Sequence, residues 1–212
     1  MTRSYHQFCG VARALDVVGE RWTLLIIRDL LPGPLRFSDL LELEEGIGPN
    51  LLTQRLKNLE AHGVLEIRTL PPPGRARVYA LTELGMSLRD AVLALGRFGA
   101  RWLTSPAAED RIDPRWAMVS LKRRYLGSRR SWCVGLHVGE LAFTVGIGGE
   151  RAEVSDGAPR APDLSLRGEL PAYGALLIGG ASARALVEQG RLLREGPARA
   201  LADFARAFGL TP

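Results

Sequence analysis

The sequence predicts an α+β protein in two parts. Residues 46–81 carry the first two observations, a helix with one polar face and, directly after it, a strand pair joined by a basic, proline-rich segment. A helix followed at once by a basic hairpin predicts a winged helix-turn-helix. The third observation is that residues 131–167 alternate short apolar runs with glycines, between flanking helical patterns. This order predicts a smaller α+β domain with an antiparallel sheet.

Three helices are predicted ahead of the polar-faced helix, over residues 6–18, 20–31 and 37–41. In each of them apolar side chains recur at helical spacing, which favours burial of one face. The Pro-Gly-Pro run at 32–34 ends the second helix, and Ser38 is placed to cap the third. The third helix and the next one, separated by a glycine-bearing turn, predict the helix-turn-helix itself.

The next helix is predicted over about residues 50–62, with Pro49 before it and Gly63 after it. Its leucines share one face. The opposite face carries one charge and several groups that donate and accept hydrogen bonds, namely Asn50, Thr53, Gln54, Lys57 and Asn58. Such groups suit the base edges of a DNA major groove. The alternative is an ordinary solvated helix face.

The hairpin that follows is predicted from strands at 64–70 and 78–81. The segment between them contains three prolines, a glycine, Arg75 and Arg77. A stiffened tip with two arginines suits contact with backbone phosphates or a minor groove. The alternative is a surface hairpin whose arginines only keep the protein soluble.

A long helix is predicted from Thr82, a good N-cap, to about residue 102. It carries more apolar residues than a helix at the flank of a small domain needs. We therefore expect it to form a dimer interface with the N-terminal helix of a partner chain. Packing onto the second half of the same chain is the alternative.

Charge and cysteine content exclude several classes of protein. The net charge is +5: residues 1–105 contribute 13 − 11 = +2 and residues 106–212 contribute 15 − 12 = +3. Neither half is strongly basic, so the net charge alone does not indicate nucleic-acid binding. Only the placement of individual charged residues can indicate it. Cys9 and Cys133 are isolated and predict neither a disulfide framework nor a metal site. No signal sequence or apolar run of membrane-spanning length occurs. We expect a cytoplasmic protein with reduced thiols and no membrane partner.

The second half begins after a polar linker predicted at 104–113, which divides the chain into domains 1–104 and 113–212. The predicted elements, in order, are a helix at 114–126, strands at 131–138, 141–147, 151–155 and 163–167, helices at 170–178 and 182–189, a strand or turn at 190–194, and a helix at 197–208. No catalytic constellation is present: His6, His62 and His137 lie on different elements, and the glycines at 146–149 predict a turn. We expect no enzyme, cofactor or metal.

Several motifs in the first half recur together in one known family. They are Cys9, GERWTLLIIRDL at 19–30, GP at 33–34, RFSDL at 36–40, LTQRLKNLE at 52–60 and YALTELG at 79–85. On these motifs, residues 5–103 resemble the HxlR family of bacterial transcription regulators. The resemblance implies a winged-helix homodimer that binds palindromic operator DNA, usually as an autoregulator or local repressor. Gly48 and Asn50 depart from the hydroxyl and basic residues common there, which affects the expected base preference but not the fold.

Cys9 matches the position of an N-terminal cysteine through which some members of that family sense oxidants or electrophiles. This chemistry requires a thiolate, and Arg13, four residues on, is predicted to favour it. The alternative is that Cys9 is a small buried apolar side chain.

Residues 113–212 resemble the sterol carrier protein type-2-like fold, through the strand pattern, PDLSLRG at 162–168 and VEQGRLLREGPA at 187–198. The resemblance implies an apolar tunnel between sheet and helices for a small hydrophobic effector. Candidate lining residues are Leu136, Phe143, Val145, Leu176 and Leu177. Alternatively, these residues are plain core. The alternatives to a ligand-responsive regulator are therefore two: a regulator that senses redox changes or electrophiles through Cys9, and a lipid-binding protein.

Overall fold

The computed structural model describes residues 4–70, 75–103 and 110–212. The chain divides into two compact units, residues 1–92 and 93–212, which we describe separately. Most of the linker predicted from the sequence, residues 104–109, lies outside the described residues.

Four helices open the first unit: α1 (Gly10–Val18), α2 (Thr23–Leu30), α3 (Phe37–Leu43) and α4 (Pro49–Ala61). Their apolar faces meet in one core because leucine and isoleucine recur every three or four residues in α2 and α4. Its most deeply buried members include Ile26, Ile27, Leu40, Leu52, Leu56 and Leu59. This core fixes which face of α4 points outward.

Two of the predicted helices begin later than the sequence suggested. Residues 6–9 precede α1, and His6 has a positive φ of 53°. Trp22, directly before α2, has a φ of 78°, a left-handed conformation that costs a residue with a side chain about 1–2 kcal/mol. The chain therefore turns at Trp22, and helical geometry starts only at Thr23.

The predicted cap of α3 is also wrong. Ser38 lies inside the helix rather than before it. The main-chain N–H of Arg36 donates instead to the Asp39 carboxylate, at 2.9 Å. An acidic side chain in the first turn satisfies an otherwise free donor and suits the positive end of the helix dipole.

The wing consists of β1 (Leu65–Thr69) and β2 (Arg77–Leu81), which pair antiparallel with Thr69 opposite Arg77. A single bridge adds Leu35 beside Tyr79: each N–H donates to the other's carbonyl, at 3.0 and 2.7 Å. Gly63, with a φ of 68°, ends α4 as predicted. The predicted proline tip, residues 71–74, lies outside the described residues.

The long helix predicted over 82–102 is divided into α5 (Glu83–Met86), α6 (Arg89–Gly99) and a 3₁₀ turn, Ala100–Trp102. Thr82 is its N-cap, as predicted, because its hydroxyl accepts from the Gly85 N–H at 3.1 Å. Gly85 packs so closely that a Cβ there would lie 2.0 Å from the Val64 carbonyl oxygen. This close approach holds α5 against the start of the wing, and residues 87–88 separate α5 from α6.

After α6 and the 3₁₀ turn, the described residues of the second unit form a five-stranded sheet and four helices. The elements are α7 (Pro114–Arg124), β3 (Ser128–Val138), β4 (Leu141–Gly149), β5 (Arg151–Asp156), β6 (Leu164–Gly168), α8 (Leu170–Leu177), α9 (Ala183–Glu188), β7 (Leu192–Glu195) and α10 (Ala198–Ala207). Strand order across the sheet is β5-β4-β3-β6-β7. The glycines at 146–149, predicted as a turn, lie within β4.

The sheet is mixed and not antiparallel as predicted, because β3 and β6 run parallel, with Val134 opposite Leu164. Residues 157–163 carry the chain from β5 back across the sheet face. Pro159 lies over Gly135, where a Cβ would come within 3.2 Å of the proline ring. A side chain at this position of β3 would crowd the proline ring, and the spacing of the strands in sequence does not reveal the crossing.

The core of the second unit lies on the opposite sheet face, under the helices. Inward side chains of β3, β4 and β6 alternate with outward ones and pack against α7, α8 and α10. Tyr173 sits in this core and its hydroxyl donates to the Leu166 carbonyl at 2.8 Å. Burial raises the pKa of Tyr173, so the phenol stays protonated.

Candidate nucleic-acid interface

Helix α4 presents part of its predicted polar face to solvent. The leucines at 52, 56 and 59 are buried, so the helix cannot rotate without exposing them. Asn50, Gln54 and Lys57 are exposed on the opposite side. These three side chains form a row of one charge and two amides, which donate and accept hydrogen bonds.

The two remaining candidates on α4 are already engaged within the unit. The Thr53 hydroxyl donates to the Pro49 carbonyl at 2.8 Å, which leaves its oxygen as an acceptor only. Asn58 is half-buried, and its amide donates a long hydrogen bond of 3.5 Å to the Val17 carbonyl of α1. Asn58 therefore faces α1 rather than the exposed row of Asn50, Gln54 and Lys57.

The sequence analysis missed Arg55, which fixes α4 in place. Its guanidinium donates to the Glu20 carboxylate at 3.0 Å and to the Arg21 carbonyl at 3.2 Å. Arg55 thereby ties the middle of α4 to the turn before α2. Its position between the apolar and polar faces of the helix was the only sequence signal for this role.

The wing places Arg75 and Arg77 on the same unit as α4, and both are exposed. Ala76 stands between the two arginines, and its carbonyl accepts a hydrogen bond from the Leu70 N–H at 2.9 Å. This bond joins the two sides of the hairpin. Arg75 has a positive φ of 33°. Neither arginine has an ion-pair partner within the described parts of the chain, whereas Arg68 on β1 pairs with Glu66 at 2.7 Å. The two wing arginines are thus available to an external anion.

Cys9 is exposed and directly precedes the first turn of α1. The amide groups of Ala12 and then Val11 stabilise a thiolate and lower the Cys9 pKa, although neither makes a hydrogen bond of ordinary length to the sulfur. Arg13, predicted to favour the thiolate, instead lies 3.5 Å from the Asp16 carboxylate. The start of α1, rather than Arg13, lowers the Cys9 pKa.

Large apolar side chains are exposed on α1 and α6 and on the residues next to these helices. Phe98 on α6 and Trp102 in the 3₁₀ turn after it make a tilted ring contact, with centroids 5.1 Å apart, and they are 60% and 67% exposed. The others are Phe8, Val11, Leu15 and Leu95. Exposed aromatic side chains that lie beside one another, as Phe98 and Trp102 do, indicate a protein interface.

The five predicted tunnel residues of the second unit lie in its packed core. Each is at most 4% exposed. They belong to one cluster with the rings of Tyr173, Phe204 and Phe208. Elsewhere, the described residues contain no group of three His, Cys, Asp or Glu side chains placed to hold a metal, and none of their helices is long and apolar enough to cross a membrane.

Comparison with known proteins concerns mainly the first unit. The family model described as HxlR-like helix-turn-helix matches residues 17–107. The HTH-type transcriptional regulator YodB of Bacillus subtilis is 38% identical over 76 residues, 36% of this chain and 68% of YodB. The HTH-type transcriptional regulator Rv3095 of Mycobacterium tuberculosis is 38% identical over 103 residues, 48% of this chain and 65% of Rv3095. A further regulator, sll1512 of Synechocystis, is 29% identical over 101 residues, 48% of this chain and 75% of sll1512.

The fold of the first unit and its relatives define a helix-turn-helix transcription regulator. More narrowly, the chain belongs to the HxlR-like helix-turn-helix family. The chain spans 65% to 75% of the length of these three relatives, and each match covers less than half of this chain. The family assignment therefore describes the first unit and leaves the role of the second unit to be proposed.

Proposed function

We propose that this protein binds palindromic operator DNA as a homodimer and represses transcription. The observation that carries the proposal is the exposed row of Asn50, Gln54 and Lys57 on a core-locked α4, with the two free wing arginines in the same unit. An exposed row of this composition suits base edges, and free guanidiniums suit phosphates.

Helix α4 has 13 residues and is therefore about 20 Å long, enough to lie in a major groove. Gln54 and Asn50 carry amides of the type that bind adenine edges in pairs of hydrogen bonds, and Lys57 carries a donor suited to guanine or phosphate. Thr53 and Asn58 contribute less to DNA binding, since their polar groups already donate hydrogen bonds to carbonyls of α4 and α1, respectively. Arg75 and Arg77 would hold the flanking backbone or the minor groove.

The homodimer rests on the apolar side chains of α1 and α6. A two-fold dimer places the same surface of each chain against its copy and matches the symmetry of a palindromic site. We propose that Phe98 and Trp102 of each chain are covered by α1 of the partner. The side chains of Phe8 and Val11 supply the matching apolar surface.

For the second unit we propose a sterol-carrier-like domain that serves effector binding or assembly. The core of this unit is already filled by side chains, so a hydrophobic effector could enter only if the structure opened. Leu136, Phe143 and Val145 on the sheet belong to the same buried cluster as Leu176 and Leu177 on α8. An apolar molecule would have to separate α8 from the sheet in order to enter between them.

Fluorescence anisotropy with the DNA upstream of the protein's own gene tests the proposal, at two salt concentrations and with random DNA as control. We expect tight, sequence-dependent binding whose affinity falls steeply with salt, because bound arginines and lysines release counterions from phosphate. Weak and equal binding to both DNAs would contradict operator recognition. A reporter gene behind the same DNA then distinguishes repression from activation.

A second function, sensing of oxidants or electrophiles, is favoured by Cys9. Its thiol is exposed and its pKa is lowered, which are the two requirements for a reactive cysteine. Modification at the start of α1 would act on the same helix that we propose for the dimer interface. Loss of DNA binding on oxidation would follow from a change in that interface.

A further inference from the structure

A surface cleft of about 460 Å³ opens in the second unit between the start of β3 and the last turns of α10. Its size is in the range of small-molecule sites. Its polar lining is unusually rich in arginine. The lining residues are Gly127, Ser128, Arg129, Arg130, Trp132, Asp203, Arg206 and Ala207.

A β-bulge forms one wall of the cleft. The β3–β4 register shifts between Ser128 and Trp132, so residues 129–131 leave the regular ladder. The Ser128 hydroxyl holds this bulge by donating to the Arg130 carbonyl at 2.8 Å and accepting from the Arg130 N–H at 3.2 Å. Bulges redirect side chains, and this one lets consecutive arginines line the same cleft.

The charge of the cleft is positive and only weakly compensated. Arg206 pairs with Asp203 on α10, and Arg130 pairs with Asp163 at 2.8 Å. All four of these side chains are at least one-third exposed, and such pairs contribute only about 0–1 kcal/mol, so an incoming anion can displace them. Arg129 has no ion-pair partner within the described ranges of the chain.

Trp132 gives the cleft an apolar surface beside these charges. The Arg130 guanidinium lies 5.9 Å from the centroid of the indole ring. The ring is 9% exposed, so it supports the wall of the cleft and offers a ligand an edge rather than a full face. A ligand that fits both features has an anionic group joined to a small flat ring.

We propose that this cleft binds a small organic anion, a phosphate or carboxylate carried on a ring. Guanidinium forks pair with the oxygens of either group through two parallel hydrogen bonds. The site goes beyond the DNA-binding function, because it lies in the other unit and its binding is measured without DNA. It also differs in chemistry from a site for a hydrophobic effector.

Isothermal titration calorimetry of the full-length protein with phenyl phosphate, benzoate and inorganic phosphate tests the site. We expect saturable binding of phenyl phosphate or benzoate, and the tighter of the two identifies the anionic group. Inorganic phosphate lacks the ring and is expected to bind more weakly. The absence of saturable binding by both ring anions would overturn the proposal, and equal affinity for inorganic phosphate would overturn the part assigned to Trp132.

Two variants with opposite expected effects keep the test independent of folding defects. Arg129→Gln should weaken binding by about tenfold through loss of a charge-assisted pair. Asp203→Asn should strengthen it severalfold, because it frees Arg206 and removes the only negative charge in the lining. Arg184→Gln is the matched control, since Arg184 is an exposed arginine on α9 that pairs with Glu188. Affinity unchanged in both cleft variants would contradict the site.

Discussion

The Arg28 guanidinium donates to the Glu44 carboxylate at 2.6 Å and so ties α2 to the end of α3. The same guanidinium donates to Asp29 at 2.8 Å. Both carboxylates are buried, at 3% and 0% exposure. Because α3 and α4 form the helix-turn-helix, this pair helps to set the frame on which α4 is presented.

Replacing Arg28 with methionine should destabilise the first unit by about 3–5 kcal/mol, because it removes the cation that contacts both buried carboxylates. Urea unfolding followed by circular dichroism measures the change. Arg68→Met is the control, since Arg68 and Glu66 are both exposed and such a pair contributes about 0–1 kcal/mol. Equal losses in the two variants would contradict the importance of the buried pair.

Gln54→Ala and Asn58→Ala should differ in their effect on DNA. Gln54 is free to reach a base, so its loss should cost about 1–3 kcal/mol and relax the preference at one base pair. Asn58 donates to the Val17 carbonyl, so its loss should change base preference less than the loss of Gln54 does. Anisotropy titrations against operators substituted at each position measure both. Equal effects of Gln54→Ala on operator and random DNA would remove Gln54 from base recognition.

Arg75→Ala should weaken binding to every DNA sequence alike and reduce the slope of log K against log salt by about 1, because one phosphate contact is lost. The same titrations at several salt concentrations give the slope. Arg160→Ala removes an exposed arginine from the second unit and controls for the change in net charge. A slope that matches the wild-type value would show that Arg75 does not contact phosphate.

The elements of the first unit were predictable where local chemistry decides them. Thr82, Gly63 and the leucines of α4 act through their own conformational preferences or periodicity, and the structure has them in the predicted roles. Trp22 was not predictable, because a left-handed tryptophan is locally unfavourable and is held by the surrounding fold.

Long-range relationships were not predictable from the sequence. The parallel pairing of β3 with β6 joins segments about 30 residues apart and is accompanied by the crossing of Pro159 over Gly135, and no periodicity encodes either. Arg55 likewise acquires its role from Glu20, which is 35 residues away. The arginine cleft depends on a bulge in β3 and on residues of α10, about 75 residues further along the chain, and the sequence shows only a basic dipeptide there.

The two cysteines should react at different pH. The Cys9 pKa is lowered by the amides at the start of α1, whereas burial and then Asp163 raise the Cys133 pKa. Alkylation requires the thiolate, so the Cys9 rate should reach half its maximum at a pH below that of an ordinary thiol, and the Cys133 rate above it. Iodoacetamide labelling followed by peptide mass spectrometry measures both rates. The reverse order would contradict the role of the helix start.

If Cys9 is the sensor, its oxidation should also change DNA binding. Mild oxidant should weaken operator binding by the wild-type protein and leave Cys9→Ser unaffected. Cys133→Ser serves as the matched control and should behave as the wild type does. Oxidant sensitivity retained in Cys9→Ser would exclude Cys9 as the sensor, while leaving operator recognition itself intact.

Phe98→Glu should dissociate the proposed dimer. Burying an aromatic side chain is worth about 1.5–3 kcal/mol, and a two-fold interface contains each residue twice, so the loss is about 3–6 kcal/mol. The dimer dissociation constant should then rise by at least about 100-fold, which sedimentation equilibrium measures. Leu193→Glu on β7 is the control, because Leu193 is 61% exposed, similar to Phe98, but lies on the second unit's sheet. A monomeric wild type, or equal effects of the two variants, would contradict the assignment. Since a palindromic site requires two copies of α4, Phe98→Glu should also weaken operator binding without any change to the DNA-contacting residues.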